Sequence, residues 1–576
     1  MRSPRRRLSL SGDWLFTIDR EEEGRDLGYF SPEYDDSDWM CTRVPGNWDT
    51  IVPELFGYSG LGWYRTTFSV DPGWHGRRVV IRFEGSNYAT RVWLNGQDVG
   101  THEGGFTPFE FDVTEAIEWD GANTLAVEVD NRACLGRIPN SLTGWWNYGG
   151  IYRDVVLCSI PALFIADTNV RAEPSLNGEG LLSVTITVDG EPPASDVGIH
   201  LRVACDGKAV DLQGDADATL RWGQACSFDV SWPGARLWSL ESPTLYTLLV
   251  TLTDNLSGQI IDELPTTFGV RQFELRSDGF YLNGEPLVLK GVNRHEEYSG
   301  TGRVDPGGVL ESDLLRIREL GCNMVRIHYP CEPSFYELTD RLGLLAFVEI
   351  PFWQIGNREL GEIGDPAVVA AAKRQISVMV SELRNHPSVA IWSVGNECAS
   401  DTEEGRTTIS ELIDYTRKLD TTRPITYVSH KREECKCLDL GDFISLNEYY
   451  GLRLDDLRAM LEGVHRQQPH RVILMTEFGH EAVRGLLGTA RGSEQQQAEV
   501  IARQWELFQS LDYIVGGLIW SWADYWHLPA GPQHRGMNQV YYCHGLLTLN
   551  RAPKLAVETV RGLFGGGGRH QTYRSA

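Results

Sequence analysis

The rhythm of apolar residues changes near Gly269, and that change limits the chain to few architectures. Before it, apolar and polar residues alternate in short runs such as Arg78-Val79-Val80-Ile81-Arg82-Phe83 and Thr90-Arg91-Val92-Trp93-Leu94, the second ending at the turn pair Asn95-Gly96. A period of two with Asn-Gly turns marks antiparallel hairpins with one buried face. After it, apolar strand-like runs alternate with helical stretches, for example Leu310 to Leu320, Ala367 to Leu383 and Gln495 to Leu511. Strand and helix alternation over some 300 residues predicts parallel βαβ units, and that length suits a closed (β/α)₈ TIM barrel.

The full 576 residues are too many for one core, since single cores stop growing at roughly 250–300 residues. Three domains are expected: a β-sandwich over 1–160, a second sandwich of immunoglobulin-like size over 161–272, and the barrel over 273–576. The second block carries runs such as Leu182-Ser183-Val184-Thr185-Ile186-Thr187-Val188 and Leu245 to Leu252, which fit an immunoglobulin-like sandwich without its disulfide. Eight barrel strands are predicted: Leu287 to Val292, Met324 to His328, Leu345 to Ile350, Val389 to Val394, Ile425 to Ser429, Phe443 to Asn447, Val472 to Thr476 and Gly517 to Ser521.

The net charge of −26 repels phosphate backbones and anionic headgroups, so nucleic-acid and membrane partners are not expected. The basic opening Met1 to Arg7 gives way to Leu8-Ser9-Leu10-Ser11-Gly12-Asp13-Trp14 before an apolar signal segment forms, which predicts a cytoplasmic protein. Eleven scattered cysteines read as reduced thiols. Cys435-Lys436-Cys437 lacks the second pair that a zinc site needs. A homo-oligomer is left open.

Chemistry gathers at the predicted strand ends, where a barrel builds its active site. Asn293-Arg294-His295-Glu296-Glu297 follows the first strand, Arg326 and His328 close the second, Glu349 lies at the third, and Asn396-Glu397 follows the fourth. His430 follows the fifth, Asn447-Glu448-Tyr449-Tyr450 the sixth, Glu477-Phe478-Gly479-His480 the seventh, and Trp520-Ser521-Trp522-Ala523-Asp524 the eighth. Cleaving a glycosidic bond with retention needs two carboxyl groups roughly 5–5.5 Å apart, one to protonate the leaving oxygen and one to attack the anomeric carbon. Glu397 and Glu477, on strands across the mouth from each other, can face a sugar from two sides. Their roles require Glu397 protonated by desolvation and by its partner's charge, and Glu477 kept ionised by hydrogen bonds.

Trp392-Ser393-Val394-Gly395-Asn396-Glu397, Met475-Thr476-Glu477-Phe478-Gly479-His480, Gly291-Val292-Asn293-Arg294-His295-Glu296 and Ser445-Leu446-Asn447-Glu448-Tyr449-Tyr450-Gly451 resemble glycoside hydrolase family 2, the group of β-galactosidases, β-glucuronidases and β-mannosidases. The resemblance spans almost the whole chain, including Asn147-Tyr148-Gly149-Gly150-Ile151-Tyr152-Arg153, similar to the end of that family's jelly-roll, sugar-binding-like N-terminal domain. It implies a retaining exo-β-glycosidase with Glu397 as acid/base, Glu477 as nucleophile and Asn396 on the sugar 2-hydroxyl. It further implies that Tyr449 orients the nucleophile, Arg326 holds it ionised, and Trp520 forms an apolar wall. His295, Asn447, Trp526 and His544 join as substrate-binding candidates.

The glycon is less legible. Thr422-Arg423-Pro424-Ile425-Thr426 resembles β-glucuronidases, but their Asn-x-Lys carboxylate clamp is replaced by Tyr541-Tyr542-Cys543-His544. Gly144 stands where they carry an Asp that touches the sugar. A neutral hexoside, first of all a β-galactoside, is therefore expected, with His534, Arg535 and His544 as an alternative clamp suited to a glucuronide or galacturonide. The metal of the large family members is not expected, because Glu349-Ile350-Pro351-Phe352-Trp353 lacks the His that would complete it; no cofactor is anticipated. Loops bearing Trp145, Trp353 and Trp526 would close a pocket for exo action on a small glycoside or oligosaccharide, whereas an open groove would favour endo action. The rival of another class is a non-catalytic carbohydrate-binding protein.

Overall fold

A computed structural model of the chain describes residues 4–139, 144–191, 194–357, 362–527 and 541–565. The first domain is a sandwich of two antiparallel sheets. One has four strands, with Arg78–Phe83 between Val155–Ile160 and Phe109–Asp112; the other has six, with Asn123–Asp130 between Leu61–Phe68 and Ala89–Leu94. Their inner faces meet through alternate residues such as Val79, Ile81 and Phe83 from one sheet and Val92, Leu125 and Val127 from the other. Asn95 and Gly96 both take positive φ, +53° and +80°, as the tight hairpin predicted at this pair demands.

The second domain pairs a three-stranded sheet, Leu163–Pro174, Gly180–Gly190 and Cys226–Trp232, with a second sheet built around Val197–Cys205 and Tyr246–Asp254. Ile186 and Val230 pack against Leu201 and Leu248 in its core, and every cysteine in the described chain is a free thiol. This is an immunoglobulin-like sandwich with an apolar core and no disulfide.

The third domain is a closed parallel barrel of eight strands. They are β1 (Leu289–Asn293), β2 (Met324–Ile327), β3 (Leu345–Glu349), β4 (Val389–Asn396), β5 (Ile425–Ser429), β6 (Ile444–Asn447), β7 (Ile473–Phe478) and β8 (Ile514–Ile519). Pairing of Leu289 with Gly516 and of Val292 with Ile519 closes the ring. The eighth strand begins earlier than its apolar run suggests. Its Gly516-Gly517 step is poor in hydrophobicity yet required by close approach, since a Cβ on Gly516 would lie 2.1 Å from the Leu289 carbonyl oxygen.

The sandwich at the N-terminal end reaches over the barrel mouth. Buried Arg153 donates to Glu296 (3.0 Å) and to the Pro330 carbonyl (2.8 Å), and Asn47 donates to the Thr301 carbonyl (2.8 Å). Phe106 stacks on Tyr329 with ring centroids 4.2 Å apart. No helix among the described residues is long and apolar enough to cross a membrane.

Candidate active site

β4 is buried over its whole length and slips register against β5 between Ser393 and Asn396. The next residue, Glu397, takes the left-handed conformation with φ +55°, uncommon for a residue with a side chain and recurrent at functional sites. Its carboxylate accepts from Asn447 Nδ2 on Oε1 (2.9 Å) and from Gln354 Nε2 on Oε2 (3.1 Å). Both donors are neutral amides, and Glu397 itself is only partly buried, not sealed from water.

Glu477 lies within β7, 4% exposed. Its Oε1 accepts from Arg326 Nη1 (2.8 Å) and lies 3.3 Å from His328 Nε2, while Oε2 accepts from the Tyr449 hydroxyl (2.6 Å). Burial raises its carboxyl above the ordinary range; Arg326, Tyr449 and Asn447 pull the other way without cancelling it. The hydrogen bonds expected at Glu477 are present, while desolvation at this depth outweighs them in setting the direction of the shift.

One network ties the two carboxylates together. Asn447 pairs in register with Glu477 across β6 and β7 and donates to Glu397 and to Asn396 Oδ1 (3.0 Å). Arg326, fully buried, also donates to Asn396 Oδ1 (2.8 Å), Asn293 Oδ1 (3.0 Å) and Glu349 Oε2 (3.1 Å). Asn396 therefore has its amide oxygen held by two donors, which fixes the orientation of its Nδ2. Burial pushes Glu349 up to about 7, partly opposed by Arg326 and by Ser393 at 2.6 Å. The two carboxylates act on the same hydroxyl: desolvation at the hydroxyl end of Tyr449, whose residue as a whole is 39% exposed, raises it well above its usual value, and the charges of Glu477 and Glu397 add to that.

Aromatic rings form the rest of the wall. Trp520, Tyr525, Tyr329, Trp353, Trp145 and Phe106 make one buried cluster, the last two contributed by the sandwich. His295 sits in it, 4.4 Å from Tyr525 and 5.4 Å from Trp520 between centroids, with Nδ1 on the Tyr329 hydroxyl (3.0 Å). Burial and the neighbouring cations drive His295 and His328 far below their usual pKa, so both are neutral. A side chain at Gly144 would run into Trp353, whose indole lies 3.1 Å from the Cβ position.

Of the candidates read from sequence, Asn396, Glu397, Glu477, Asn447, Arg326 and Tyr449 share one bonded network, and His295 and Trp520 line the wall beside it. His544 stacks on Tyr542 (4.4 Å) and meets Tyr449 edge-on (5.9 Å), but burial and the charges of His480 and Lys554 lower it to about 3. Its Nδ1 is buried without a hydrogen-bond partner. Trp526 does not join the site. In a short ribbon of β9 (Tyr525–Trp526) and β10 (Tyr541–Tyr542), Tyr525 and Tyr542 face the wall, while the alternation of a strand turns Trp526 to the other side, against Tyr541 and Phe56. His534 and Arg535 lie outside the described residues. Sequence reasoning passed over Gln354, His328 as a Glu477 neighbour, and Tyr542; only His328, at a strand end, carried a signal.

Models of known families match the chain in three consecutive stretches: the sugar binding domain of glycosyl hydrolases family 2 over 8–161, a second family 2 region over 163–271, and the family 2 TIM barrel domain over 273–566. A β-glucuronidase of Paenibacillus borealis is 27% identical over 602 residues, covering 97% of each chain. A β-galactosidase of Thermoanaerobacter pseudethanolicus is 30% identical over 572 residues, covering 96% of this chain and 71% of that one. Among solved structures, a Lactobacillus rhamnosus β-glucuronidase superposes with a TM-score of 0.89 at 25% identity over 98% of both chains. With a model of the barrel covering more than half its length and the two sandwiches matched in order before it, the chain belongs to glycosyl hydrolase family 2 and is a β-glycosidase.

Proposed function

We propose that this enzyme hydrolyses terminal β-linked neutral hexosides, β-galactosides first, by double displacement with retention. Glu477 is the nucleophile and Glu397 the acid/base. The observation that carries the assignment is the contrast in their partners: Glu477 is bonded to a buried guanidinium and a tyrosine hydroxyl, Glu397 only to neutral amides. A nucleophile must be anionic when the sugar arrives, while an acid/base must gain and lose a proton each turnover. Attack of Glu477 on the anomeric carbon, with proton transfer from Glu397 to the leaving oxygen, breaks the glycosidic bond and gives a glycosyl-enzyme; Glu397 then takes a proton from a water that attacks the same carbon, breaking the bond to Glu477 and releasing the sugar. Asn396 Nδ2 meets the 2-hydroxyl, and the indoles of Trp145 and Trp353, 5.9 Å apart, support a closed pocket and exo action.

The charges beside the pocket support a neutral glycon. His295, His328 and His544 are neutral, Arg326 is engaged by Glu477 and Glu349, and Arg303 is stacked on Phe106 and Tyr329 while donating to the Trp146 carbonyl. Of the cations among these groups, Arg303 makes no ion pair with the described residues and its Nε and Nη1 are buried without hydrogen-bond partners, so it alone is left to meet a uronate carboxylate. The second reading, a β-glucuronidase or β-galacturonidase, is favoured by end-to-end likeness to β-glucuronidases and rests on His534 and Arg535 as clamp. Nitrophenyl β-galactoside, glucuronide, galacturonide, glucoside and mannoside distinguish them. Turnover of the galactoside with inert uronides supports the first reading; uronide turnover that Arg535→Gln abolishes replaces it with the second.

A further inference from the structure

The loop after β3 is stitched to the end of β4 more closely than a barrel requires. Asn396 N donates to the Phe352 carbonyl and Gln354 N to the Asn396 carbonyl, each at 2.9 Å, so Trp353 and Asn396 form a parallel bridge beyond the last barrel pair. Ala399 N returns to the Ile355 carbonyl (3.0 Å), and Asn357 Nδ2 bonds the carbonyl of Glu397 itself. Both ends of this clamp hold side-chain-bearing residues in the left-handed region, Gln354 at φ +51° and Glu397 at φ +55°. A non-glycine residue there costs of order 1–3 kcal/mol and persists only where surrounding contacts over-determine it. Two such residues, bonded to each other side chain to side chain, mark a place where geometry is held against local preference.

Given the acid/base role proposed for Glu397, on which this rests, we infer that Gln354 is the positioning residue that aims the Glu397 carboxyl at the glycosidic oxygen. Asn447 fixes Oε1 from the β6 side, and Gln354 fixes Oε2 from the β3 side. With one donor alone, the carboxyl is free to rotate about its terminal torsion, which is broad and shallow. With both, its plane is set. An amide suits the task because it adds no charge: it can donate through Nε2 to the ionised form and, turned over, accept through Oε1 from the protonated one. A guanidinium or ammonium at the same place would lock Glu397 as an anion and remove the acid from the first step.

The inference predicts a loss confined to proton donation. Gln354→Gly accepts the left-handed backbone without strain and removes the amide; Gln354→Asn also tolerates that conformation but is one methylene too short to reach. Both are compared with the wild type and Glu397→Ala on glycosides bearing the glycon the panel identifies, with leaving groups from dinitrophenol to methanol. For the Gln354 variants, kcat/KM for the methyl glycoside should fall about 10- to 100-fold, the cost of a misplaced catalytic group. The dinitrophenyl glycoside, whose leaving group needs no proton, should stay within about threefold of wild type. A uniform fall across the series, or none, in both Gln354 variants overturns the positioning role. If Glu397→Ala also shows no leaving-group dependence, the acid/base assignment falls with it; if Glu397→Ala alone steepens the series, only Gln354 is rejected.

Discussion

The ends of β4 and β7 present the same side chain in opposite settings. Glu477 stays within its strand, 4% exposed, bonded to a fully buried arginine. Glu397 lies just past its strand, partly exposed, in strained backbone, and bonded only to amides. A buried carboxylate costs several kcal/mol to desolvate, so it is tolerable only beside a countercharge; a carboxyl that must cycle its proton is better served by access to water and uncharged partners. The difference between the two neighbourhoods, rather than either glutamate by itself, divides the labour.

The largest effect expected is from removing either carboxylate, and azide separates them. Glu477→Ala should lower kcat by about five orders of magnitude. Azide filling the space it leaves attacks the substrate directly and gives the glycosyl azide of inverted configuration. Glu397→Ala should cost about 10²- to 10⁴-fold on poor leaving groups. There, azide enters from the acid/base side onto the glycosyl-enzyme and gives the retained azide. The anomeric configuration of both products, read by proton NMR, tests the roles; the same configuration from both variants, or the two exchanged, breaks the contrast.

Arg326→Gln attacks the charged side. It leaves Glu477 and Glu349 buried without their shared cation, and breaking a buried pair costs about 3–5 kcal/mol of stability. Thermal unfolding should shift down, and kcat should fall about 100-fold or more because the nucleophile is no longer held as an anion. A variant as stable and active as the wild type would show that the guanidinium is incidental to Glu477.

Tyr449→Phe removes a single bond from the same carboxylate, the 2.6 Å contact to Oε2. A hydrogen bond to a charged group is worth about 1.5–3 kcal/mol, which corresponds to about 10- to 100-fold in kcat. Because Tyr449 exposes 39% of itself, its stability cost should be small, separating it from Arg326→Gln. Kinetics and melting curves on the two variants together show whether charge or orientation matters more to Glu477.

Much of this was legible before any fold was known. Period-two runs gave way to alternating strands and helices, and the predicted strand ends carried Asn396-Glu397, Asn447, Tyr449 and Glu477 together with Arg326, so position gathered the members of the central network while their separate roles came from the resemblance to family 2. What could not be read depends on conformation that hydrophobic pattern does not encode. Gln354 sits in an irregular loop and reaches Glu397 only because its backbone is left-handed. Trp526 was expected in the pocket wall, but in a two-residue strand it is Tyr525 that faces the wall and Trp526 that turns away. Phe106 comes from the sandwich, far away in sequence, and the net direction of the Glu477 shift needed the balance of burial against bonding.

The smallest effect comes from a carboxylate that has burial without a bonded countercharge. Glu297, 3% exposed at the seam between sandwich and barrel, accepts on Oε1 from the Tyr148 hydroxyl (2.9 Å) and Trp526 N (3.1 Å). Burial lifts it to about 8, and the charges of Arg303 and Arg551 only moderate that. Its folded pKa lies above the unfolded one, so the folded chain holds an extra proton between them. The stability this gives is fully present below the ordinary carboxylate range and is lost as pH rises through about 8. Glu297→Gln keeps an oxygen for Tyr148 and Trp526 but cannot ionise. Wild type and variant should melt together near pH 4, with the variant ahead by about 2 °C near pH 9. Glu349 and Glu448, each raised to about 7, titrate equally in both proteins, so the difference between the two curves isolates Glu297. A difference that does not change with pH would mean that burial does not govern the unpaired carboxylate as it does Glu477.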